Sequence, residues 1–370
     1  MRIAQLAGWY SPTSGGIRTV VHRLGDGYRA RGHGAVLVVP GARDVRGPER
    51  IELAAPVLPA SGGYRVLLRR GALAPVLEDL APDVVELHDK NWLPAVAAWA
   101  TPRDVPVVLF THERFDRTLP MLLPWVPAGA TSAVARRLRC TVQQKADAVV
   151  AASDFAAAEY PGARRVPLGV DLEVFRGAPV PLRARGPVRL VLASRLSREK
   201  RPHLTLDTVA ALRGRGVDVA LTVLGGGPLA ARMRRAAVGL PVEFAGFTRD
   251  RDVLAARLAA ADVLLAPGPA ETFGLAALEA LACGTPVVAA AGAAVAELVA
   301  TTPAAGRAAG PTGEEIATAV EEVLAVAAPV RRRAARALAE RYPWSAAVDA
   351  VLTVHRDVVA TRTPAARVTA

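Results

Sequence analysis

The 370-residue sequence has little that would place it inside a membrane or in an oxidising compartment. Its apolar residues, 52% of the total, occur in short runs, and none reaches the roughly 18 continuous apolar residues that a membrane-spanning helix needs. The two cysteines, Cys140 and Cys283, are too few for a disulfide framework, and we interpret both as buried thiols. The sequence does not open with a basic and apolar segment of the secretory type, so we expect a cytosolic protein.

Aromatic residues are also scarce, at 5% of the chain, and they do not alternate with basic residues as they do in proteins that stack single-stranded nucleic acid. Lysine occurs only at positions 90, 145 and 200, so arginine supplies nearly all of the positive charge. The net charge of +12 leaves a non-enzymatic, basic nucleic-acid-binding protein open as an alternative. An anionic membrane surface or a phosphorylated ligand explains the charge equally well.

Short apolar runs alternate with amphipathic stretches of helical length, which is typical of parallel α/β sheets. The first predicted helix covers residues 17–31 and ends at Gly32. The predicted strands lie at residues 3–7, 35–39, 84–88, 107–111, 148–152, 188–193, 219–224, 242–245, 263–266 and 286–290. A stretch rich in Pro, Gly and Arg interrupts the series. We therefore predict an N-terminal Rossmann-like domain (1–168), a linker (169–187), a C-terminal Rossmann-like domain (188–343) and a final helix (344–360).

A glycine-containing loop follows the first predicted strand. Residues 9–16 read WYSPTSGG and lead directly into the first predicted helix. Backbone N–H groups and the helix dipole would converge on a ligand in this loop, so Gly15 and Gly16 mark a candidate anion site. A plain tight turn is the alternative. The spacing is not G-x-G-x-x-G, which argues against a nicotinamide or flavin enzyme.

A basic loop follows the first predicted strand of the second half. Residues 194–202 read SRLSREKRP, in which Arg195 and Lys200 could both reach a pyrophosphate and Pro202 suits the opening turn of a helix. Two fixed cations would stabilise the negative charge on a departing diphosphate. A solvated basic loop is the alternative, although a lysine in so arginine-rich a chain favours a function. The glycines at 225–227 indicate only a sharp turn.

Two carboxylates flank the start of another predicted helix. Residues 266–287 read APGPAETFGLAALEALACGTPV, with Glu271 in the loop before Gly274 and Glu279 inside the helix. Buried carboxylates without partners are costly, so a pair set among Ala and Leu indicates ligand hydroxyl groups as partners. One acid could bind sugar hydroxyls and the other a ribose. Taken alone, Glu279 could also lie on a solvated surface.

Together these segments resemble the retaining glycosyltransferases of family four, and the resemblance covers nearly the whole chain. It implies an α/β fold of GT-B architecture, with two Rossmann-like domains facing across a cleft. Four segments more narrowly resemble actinobacterial GDP-mannose-dependent α-mannosyltransferases that extend phosphatidylinositol dimannoside: residues 10–20, 111–116, 166–171 and 266–274. By this resemblance, mannose would pass from GDP-mannose to a phosphatidylinositol mannoside or related glycolipid at the inner face of the cell membrane.

The resemblance also implies site residues. The diphosphate would be bound by Gly15, Gly16, Arg195 and Lys200. The donor sugar would be bound by Glu271 and the backbone N–H groups of Phe273, Gly274 and Leu275. Glu279 would bind the ribose, and His112 matches the family histidine near the donor sugar, whereas by itself it is more typical of a core histidine. In this family the leaving phosphate is described as accepting the acceptor's proton, so no dedicated nucleophile is needed.

Asp250 and Asp252 form a D-x-D sequence, the metal-binding motif of the other large glycosyltransferase fold. We interpret them instead as capping residues of a helix over 251–261, because carboxylates there satisfy free N–H groups and complement the helix dipole. We therefore expect no cofactor and no metal ion. The remaining enzymatic alternatives are an epimerase or a transferase of the same fold that uses a UDP-, ADP- or dTDP-sugar.

A possible membrane-binding segment lies in the first half. Arg65, Arg69 and Arg70 stand beside Tyr64 and residues 66–68 in what we predict to be a short amphipathic helix. Basic residues at an anionic lipid surface each contribute roughly 1 kcal/mol to binding. An ordinary solvated face is the alternative.

Overall fold

The structure is a computed structural model that describes residues 1–10, 15–58, 63–68, 70–177 and 186–362. The chain divides into two compact units, which are described separately. The first unit consists of Met1–Leu119, Trp125–Leu168 and Trp344–Ala370. The second consists of Pro120–Pro124 and Gly169–Pro343.

In the described residues, the first unit contains an eight-stranded sheet with the order β3-β4-β2-β1-β5-β6-β7-β8. Only the edge pair β3–β4 is antiparallel. The strands are β1 (Arg2–Leu6), β2 (Gly34–Gly41), β3 (Val45–Arg46), β4 (Arg50–Ala54), β5 (Val84–Leu87), β6 (Val107–Thr111), β7 (Ala148–Ala151) and β8 (Arg164–Arg165). The helices are α1 (Gly16–Ala30), α2 (Leu73–Leu80), α3 (Leu93–Ala100), α4 (Phe115–Leu122), α5 (Ala128–Lys145), α6 (Asp154–Ala157) and, at the C-terminal end, α14 (Trp344–Arg362).

The second unit contains, in its described part, a six-stranded parallel sheet with the order β11-β10-β9-β12-β13-β14. Its strands are β9 (Val188–Ala193), β10 (Val219–Leu224), β11 (Val242–Gly246), β12 (Val263–Ala266), β13 (Val287–Ala290) and β14 (Gly306–Ala309). Its helices are α7 (His203–Gly214), α8 (Ala230–Ala236), α9 (Arg251–Ala260), α10 (Leu275–Ala282), α11 (Ala294–Ala300), α12 (Gly313–Ala325) and α13 (Ala328–Ala339).

Each sheet has a point at which the order of strands along the chain reverses. In the first sheet this point lies between β1 and β5, and in the second it lies between β9 and β12. The loops that leave such a pair of strands run in opposite directions, so a crevice opens between them at the carboxyl ends of the strands. The topology therefore locates one candidate binding crevice in each unit.

The prediction of two parallel α/β sheets is confirmed, and the ten predicted strands agree with β1, β2, β5–β7 and β9–β13 to within a few residues. One face of α1 packs into the core: Val20, Val21, Leu24 and Tyr28 are buried and Ile17 is partly buried. The prediction missed β3, β4, β8 and β14. Two of these are edge strands only two residues long, and β14 reads GRAA, a composition that carries no strand signal.

Two details of the sequence analysis are wrong. Cys283 is buried as expected, but Cys140 is exposed, since it lies on α5 away from the buried residues Thr131, Ala135 and Val142. The predicted amphipathic helix is absent from the described part of its range: residues 63–68 contain no helix, and Arg65 donates a hydrogen bond to the carbonyl oxygen of Ala55 at 2.7 Å. Residue 69 and the side chain of residue 70 lie outside the described residues.

Across the described part of the chain, no helix combines the length and the apolar character needed to cross a membrane.

Candidate functional site

The crevice of the second unit is formed by the loops that follow β9 and β12. A cavity of about 40 Å³ lies there, and Ser194, Lys200, Gly268 and Glu271 line it together with the first turn of α10. Lys200 is the last residue of a short 3-10 helix (Arg198–Lys200) that precedes α7. Arg195 stands in the same loop and is exposed. The structure thus brings Lys200 and Glu271, 71 positions apart in the chain, to one crevice.

Lys200 and Glu271 form an ion pair at the centre of this crevice. The Nζ atom of Lys200 lies 2.5 Å from Oε2 of Glu271, and the two side chains are 26% and 29% exposed. The loop after β12 can approach so closely because residue 268 is glycine: an added Cβ would stand 3.2 Å from Cα of Lys200. Both charged groups therefore reach solvent and can exchange their mutual contact for a phosphate or a sugar hydroxyl.

The glycines at 225–227 have a specific steric role beside this crevice. Gly225 has φ of +146°, and a Cβ atom there would lie 2.0 Å from the carbonyl oxygen of Ser194. Gly227 has φ of +153°, and its Cβ would lie 2.6 Å from the carbonyl oxygen of Leu196. Backbone hydrogen bonds hold the two loops together at 2.9 Å, from the Leu196 N–H to the Gly226 carbonyl and from the Leu229 N–H to the Leu196 carbonyl. The loop after β10 thereby supports the loop that carries Arg195 and Lys200.

Helix α10 begins at the same crevice. Gly274 caps it with φ of +89°, a left-handed conformation that L side chains rarely adopt. The first turn has no acidic residue, so its backbone N–H groups offer positive potential to a ligand. Phe273 is buried, and its ring makes an edge contact with Tyr342, so only its backbone is available to a ligand. Glu279 lies further along α10 and is partly exposed.

The D-x-D sequence is a helix cap. Asp250 precedes α9, and its Oδ1 accepts hydrogen bonds from the backbone N–H groups of Asp252 and Val253 at 2.9 and 3.2 Å. The capping interpretation is therefore confirmed. In the part of the chain that the structure describes, no group of three or more His, Cys, Asp or Glu residues is arranged to hold a metal ion.

In the first unit, the glycine-containing loop leads into α1 as predicted. Gly15 caps the helix and Gly16 begins it, and an added Cβ at either position would meet no atom within 4 Å. The packing of the described residues therefore does not demand glycine at these two positions. Residues 11–14 of this loop lie outside the described residues.

His112 follows β6 and is hydrogen-bonded to a second histidine. Its Nε2 lies 2.8 Å from Nδ1 of His88, the residue that follows β5, and the two rings are nearly parallel. Burial and, after it, the proximity of His88 lower the pKa of His112 to about 3. His112 is therefore a neutral imidazole at physiological pH.

Behind the two histidines lies a buried carboxylate, Glu86. Its side chain has no exposed surface, yet polar groups of four side chains lie beside its two oxygens. Oε1 is 2.7 Å from Nε2 of Gln5 and 2.7 Å from Nε2 of His88, while Oε2 is 2.6 Å from the Tyr28 hydroxyl and 3.1 Å from Nε2 of His355. Burial alone would raise the pKa of Glu86, but His355 and His88 hold it well below its usual range.

Sequence reasoning missed this cluster entirely. Glu86 and His88 lie within a short apolar strand and directly after it, and their partners come from β1, α1 and α14, far away in the chain. The only local signal is a carboxylate inside the run VVEL, where the strand is buried on both faces. A buried charged residue needs partners, which is a reason to expect a polar cluster but not a way to name its members.

Each half of the chain matches a known glycosyltransferase family. Residues 15–170 match the family described as Glycosyl transferase 4-like domain, and residues 187–326 match Glycosyl transferases group 1. The chain is 42% identical, over 95% of both chains, to the GDP-mannose-dependent alpha-(1-6)-phosphatidylinositol dimannoside mannosyltransferase of Mycobacterium tuberculosis. It is 28% identical, over 78% of both chains, to the phosphatidyl-myo-inositol mannosyltransferase of Mycobacterium leprae.

Solved structures agree on the fold. A sucrose-phosphate synthase from Thermosynechococcus elongatus matches with a TM-score of 0.78 at 20% identity, covering 97% of this chain and 99% of the other. HepE of Anabaena, solved with UDP and glucose, matches with a TM-score of 0.72 at 19% identity, covering 98% and 99%. This chain belongs to glycosyltransferase family four, has the GT-B fold and is an enzyme that transfers a glycosyl group.

Proposed function

We propose that this enzyme transfers mannose from GDP-mannose to a phosphatidylinositol mannoside or a related glycolipid, with retention of the α configuration. The observation that carries the proposal is the Lys200–Glu271 pair in the crevice between β9 and β12. In this pair an amine, for which we propose a diphosphate, lies 2.5 Å from a carboxylate, for which we propose sugar hydroxyl groups. The activity named for the 42% identical mycobacterial relative supports the choice of donor and acceptor.

In the proposed mechanism, cationic groups of the protein surround the diphosphate as it departs. Arg195 and Lys200 neutralise the negative charge that develops on the leaving group, and the N-terminal turn of α1 at Gly15 and Gly16 adds backbone N–H groups. Because these groups are fixed by the fold, little reorganisation is needed as the bond breaks. A divalent cation is then not required.

The donor itself is held along α10. Glu271 and the backbone N–H groups of Phe273, Gly274 and Leu275 bind hydroxyl groups of the sugar, and Glu279 binds the ribose. Glu271 lies nearest the bond that breaks, where the sugar ring gains positive charge, so its carboxylate interacts most strongly in the transition state. The departing phosphate accepts the proton of the attacking hydroxyl group, and His112 lies beside the donor sugar.

The acceptor would be taken from an anionic membrane surface. Residues 117–146 contain five basic residues and no acidic residue. The Trp125 side chain, just before α5, is 71% exposed, and Arg136 and Arg137 are exposed on α5. Tryptophan and arginine at one surface suit the interface of a bilayer with anionic headgroups. We propose the membrane contact here rather than at residues 64–68, which form no helix.

Sedimentation with vesicles of an anionic phospholipid tests this surface. Replacing Arg136 and Arg137 by Gln should lower vesicle binding about tenfold or more, since each arginine contributes roughly 1 kcal/mol at such a surface. The matched control replaces Arg232 and Arg235, which are exposed on α8 of the second unit, and makes the same charge change. Equal losses for the two double variants would show that net charge, and not this surface, governs binding.

Product analysis tests the function directly. The purified enzyme is incubated with GDP-mannose and an actinobacterial lipid extract, and mass spectrometry follows the lipids. We expect one hexose to be added to a phosphatidylinositol mannoside. A transfer seen only with UDP-, ADP- or dTDP-sugars would overturn the choice of donor.

A thermal-shift panel with GDP, UDP, ADP and a short oligonucleotide complements the product analysis. A ligand that binds only the native state raises its melting temperature, and GDP should give the largest rise. Stabilisation by the oligonucleotide alone would favour the nucleic-acid-binding alternative.

A further inference from the structure

Helix α13 and the turn after it contact both ends of α10, the helix that begins at the crevice of the second unit. At the C-terminal end of α10, Nη1 of Arg336 donates hydrogen bonds to the carbonyl oxygens of Ala282 and Phe175, at 3.0 and 2.8 Å. At the other end, the ring of Phe273 makes its edge contact with Tyr342, which follows α13. All five residues belong to the second unit. Contacts within this unit therefore fix α10 at both ends.

Arg336 contacts α10 where the helix has its negative end. The last carbonyl groups of a helix have no N–H partner within it, and a cation there complements the helix dipole. Ala282 is the last residue of α10, and both it and Phe175 are fully buried. A buried carbonyl group that loses its donor destabilises the protein, because water does not replace the lost bond. The guanidinium of Arg336 therefore stabilises this end of α10 by charge and by hydrogen bonding.

The chain segment that Arg336 joins to α10 has further contacts of its own. The guanidinium carbon of Arg251, at the start of α9, lies 5.1 Å from the centre of the Phe175 ring. Two residues after Phe175 the backbone passes close to the helix end: a Cβ atom added to Gly177 would lie 3.4 Å from the carbonyl oxygen of Cys283, the C-cap of α10. Arg336 thus connects the end of α10 to a segment that packing already holds in place.

We propose that Arg336 is a positioning residue for the donor site, which fixes the orientation of α10 so that Glu279 and the N-terminal turn of the helix bind the nucleotide sugar. This inference rests on the proposed function, because that function assigns the donor to α10. The helix has eight residues and is roughly 12 Å long. In so short a helix, a displacement at the C-terminal end tilts the helix as a whole and moves the groups that bind the donor.

The same helix supplies a matched control one turn earlier. Arg332 donates hydrogen bonds from Nη1 to the carbonyl oxygen of Ala259 at 3.0 Å and from Nη2 to that of Ala261 at 2.8 Å. These carbonyl groups lie at the C-terminal end of α9, to which the proposed function assigns no group that binds the donor. Arg332 and Arg336 therefore make the same kind of contact from one helix to the ends of two different helices.

Steady-state kinetics of Arg336→Gln and Arg332→Gln test the proposal. Arg336→Gln should raise the KM for GDP-mannose about fivefold, the effect of a cation at a helix end, and change kcat by less than about twofold, because the ribose lies away from the bond that breaks. Arg332→Gln should leave KM unchanged. A purely structural loss would lower the folded fraction, and with it the apparent kcat, but not KM. An unchanged KM in Arg336→Gln, or an equal rise in both variants, overturns the proposal.

The variant Arg336→Lys grades the effect. Lysine retains the positive charge but replaces the planar guanidinium by a single amine. Its KM should therefore lie about twofold above that of the wild type and below that of Arg336→Gln. If Arg336→Gln does not fold, Arg336→Lys and Arg332→Lys make the same comparison, and a wild-type KM in Arg336→Lys then overturns the proposal.

Calorimetric titration with GDP and UDP distinguishes failure of this inference from failure of the proposed function. Wild-type enzyme that is inactive with GDP-mannose and binds UDP instead would overturn the proposed donor. The Kd for UDP should then rise about fivefold in Arg336→Gln and stay unchanged in Arg332→Gln. Normal binding of GDP or UDP by the wild type, with an equal Kd in Arg336→Gln, would overturn the role of Arg336 alone. Binding of neither nucleotide by the wild type would overturn both proposals.

Discussion

The two units use the same kind of strand-order reversal, yet the groups that cluster near it differ in exposure. In the second unit, the charged side chains Lys200 and Glu271 stand on loops and are about one quarter exposed. In the first unit, Glu86 and His88 have no exposed surface, and His88 is hydrogen-bonded to His112. One unit leaves its charged pair accessible to solvent, whereas the other buries its carboxylate behind two histidines.

This difference follows from the free-energy cost of burying charge. A carboxylate on a loop needs few fixed partners, because water or a ligand can satisfy it. A carboxylate inside a sheet needs polar partners at both oxygens, which here come from β1, the end of β5 and the helices α1 and α14. The first unit should therefore respond to pH and to core substitutions, and the second to loop substitutions and ligands.

The largest expected effect concerns the loop support of the second unit. Gly225→Val places a Cβ against the carbonyl oxygen of Ser194, at a φ of +146° that valine rarely adopts. It should destabilise the second unit by about 3 kcal/mol and abolish stabilisation by GDP, as measured by scanning calorimetry. Gly226→Ala is the matched control, because its Cβ would meet no atom within 4 Å. If both variants behave alike, the loops do not support one another as described.

The next largest effects distinguish the roles of Glu271, in the loop before α10, and Glu279, within α10. Glu271→Gln should lower kcat roughly 100-fold, because it removes a group that acts on the sugar in the transition state, and should barely change GDP affinity. Glu279→Gln should weaken GDP binding by roughly 1.5 to 3 kcal/mol, since GDP retains the ribose. Calorimetric titration of GDP into both variants makes the measurement. A larger loss for Glu271→Gln would mean that the two roles are assigned the wrong way round.

A moderate effect is expected from pH in the first unit. The folded-state pKa of His112, about 3, lies below the unfolded value near 6.5, so the unfolded state binds more protons between these pH values. Stability contributed by neutral His112 is complete above pH 6.5 and is lost as pH falls, by about 2 kcal/mol at pH 5.

Denaturant titrations of wild-type protein and His112→Gln at pH 7.5 and 5.0 measure this loss. The five tryptophans, at positions 9, 92, 99, 125 and 344, all belong to the first unit, so their fluorescence reports that unit. The wild-type protein should lose about 2 kcal/mol more than the variant between the two pH values. Parallel losses would show that His112 does not titrate as described.

The smallest effect is expected from removing metal ions. Because Arg195, Lys200 and helix N-termini already supply positive charge, EDTA should leave most transferase activity intact. The carboxylate of Asp250 in the D-x-D sequence already accepts hydrogen bonds from backbone N–H groups as the cap of α9. Collapse of activity with the chelator and recovery with Mg²⁺ or Mn²⁺ would show that a metal ion takes part.

The sequence by itself determined the features that depend on local patterns. The spacing of apolar residues along the chain indicates strands and helices, so ten strands and α1 could be predicted. The cap at Asp250 and the α10 segment with its two carboxylates could be predicted as well. Short patterns were less informative. Residues 64–68 fit an amphipathic helix but form none, because so few residues cannot distinguish a helical period from an irregular segment.

Only the tertiary structure decided which groups meet. The ion pair of Lys200 with Glu271, the collision that excludes a side chain at Gly225, and the donors around Glu86 all join segments that are distant in the chain. No local period encodes such contacts, because they depend on strand order and on the register that sets Gln5 opposite Glu86. The cluster around Glu86 thus joins residues of β1, α1, β5 and α14, and their proximity becomes visible only when the sheet is assembled.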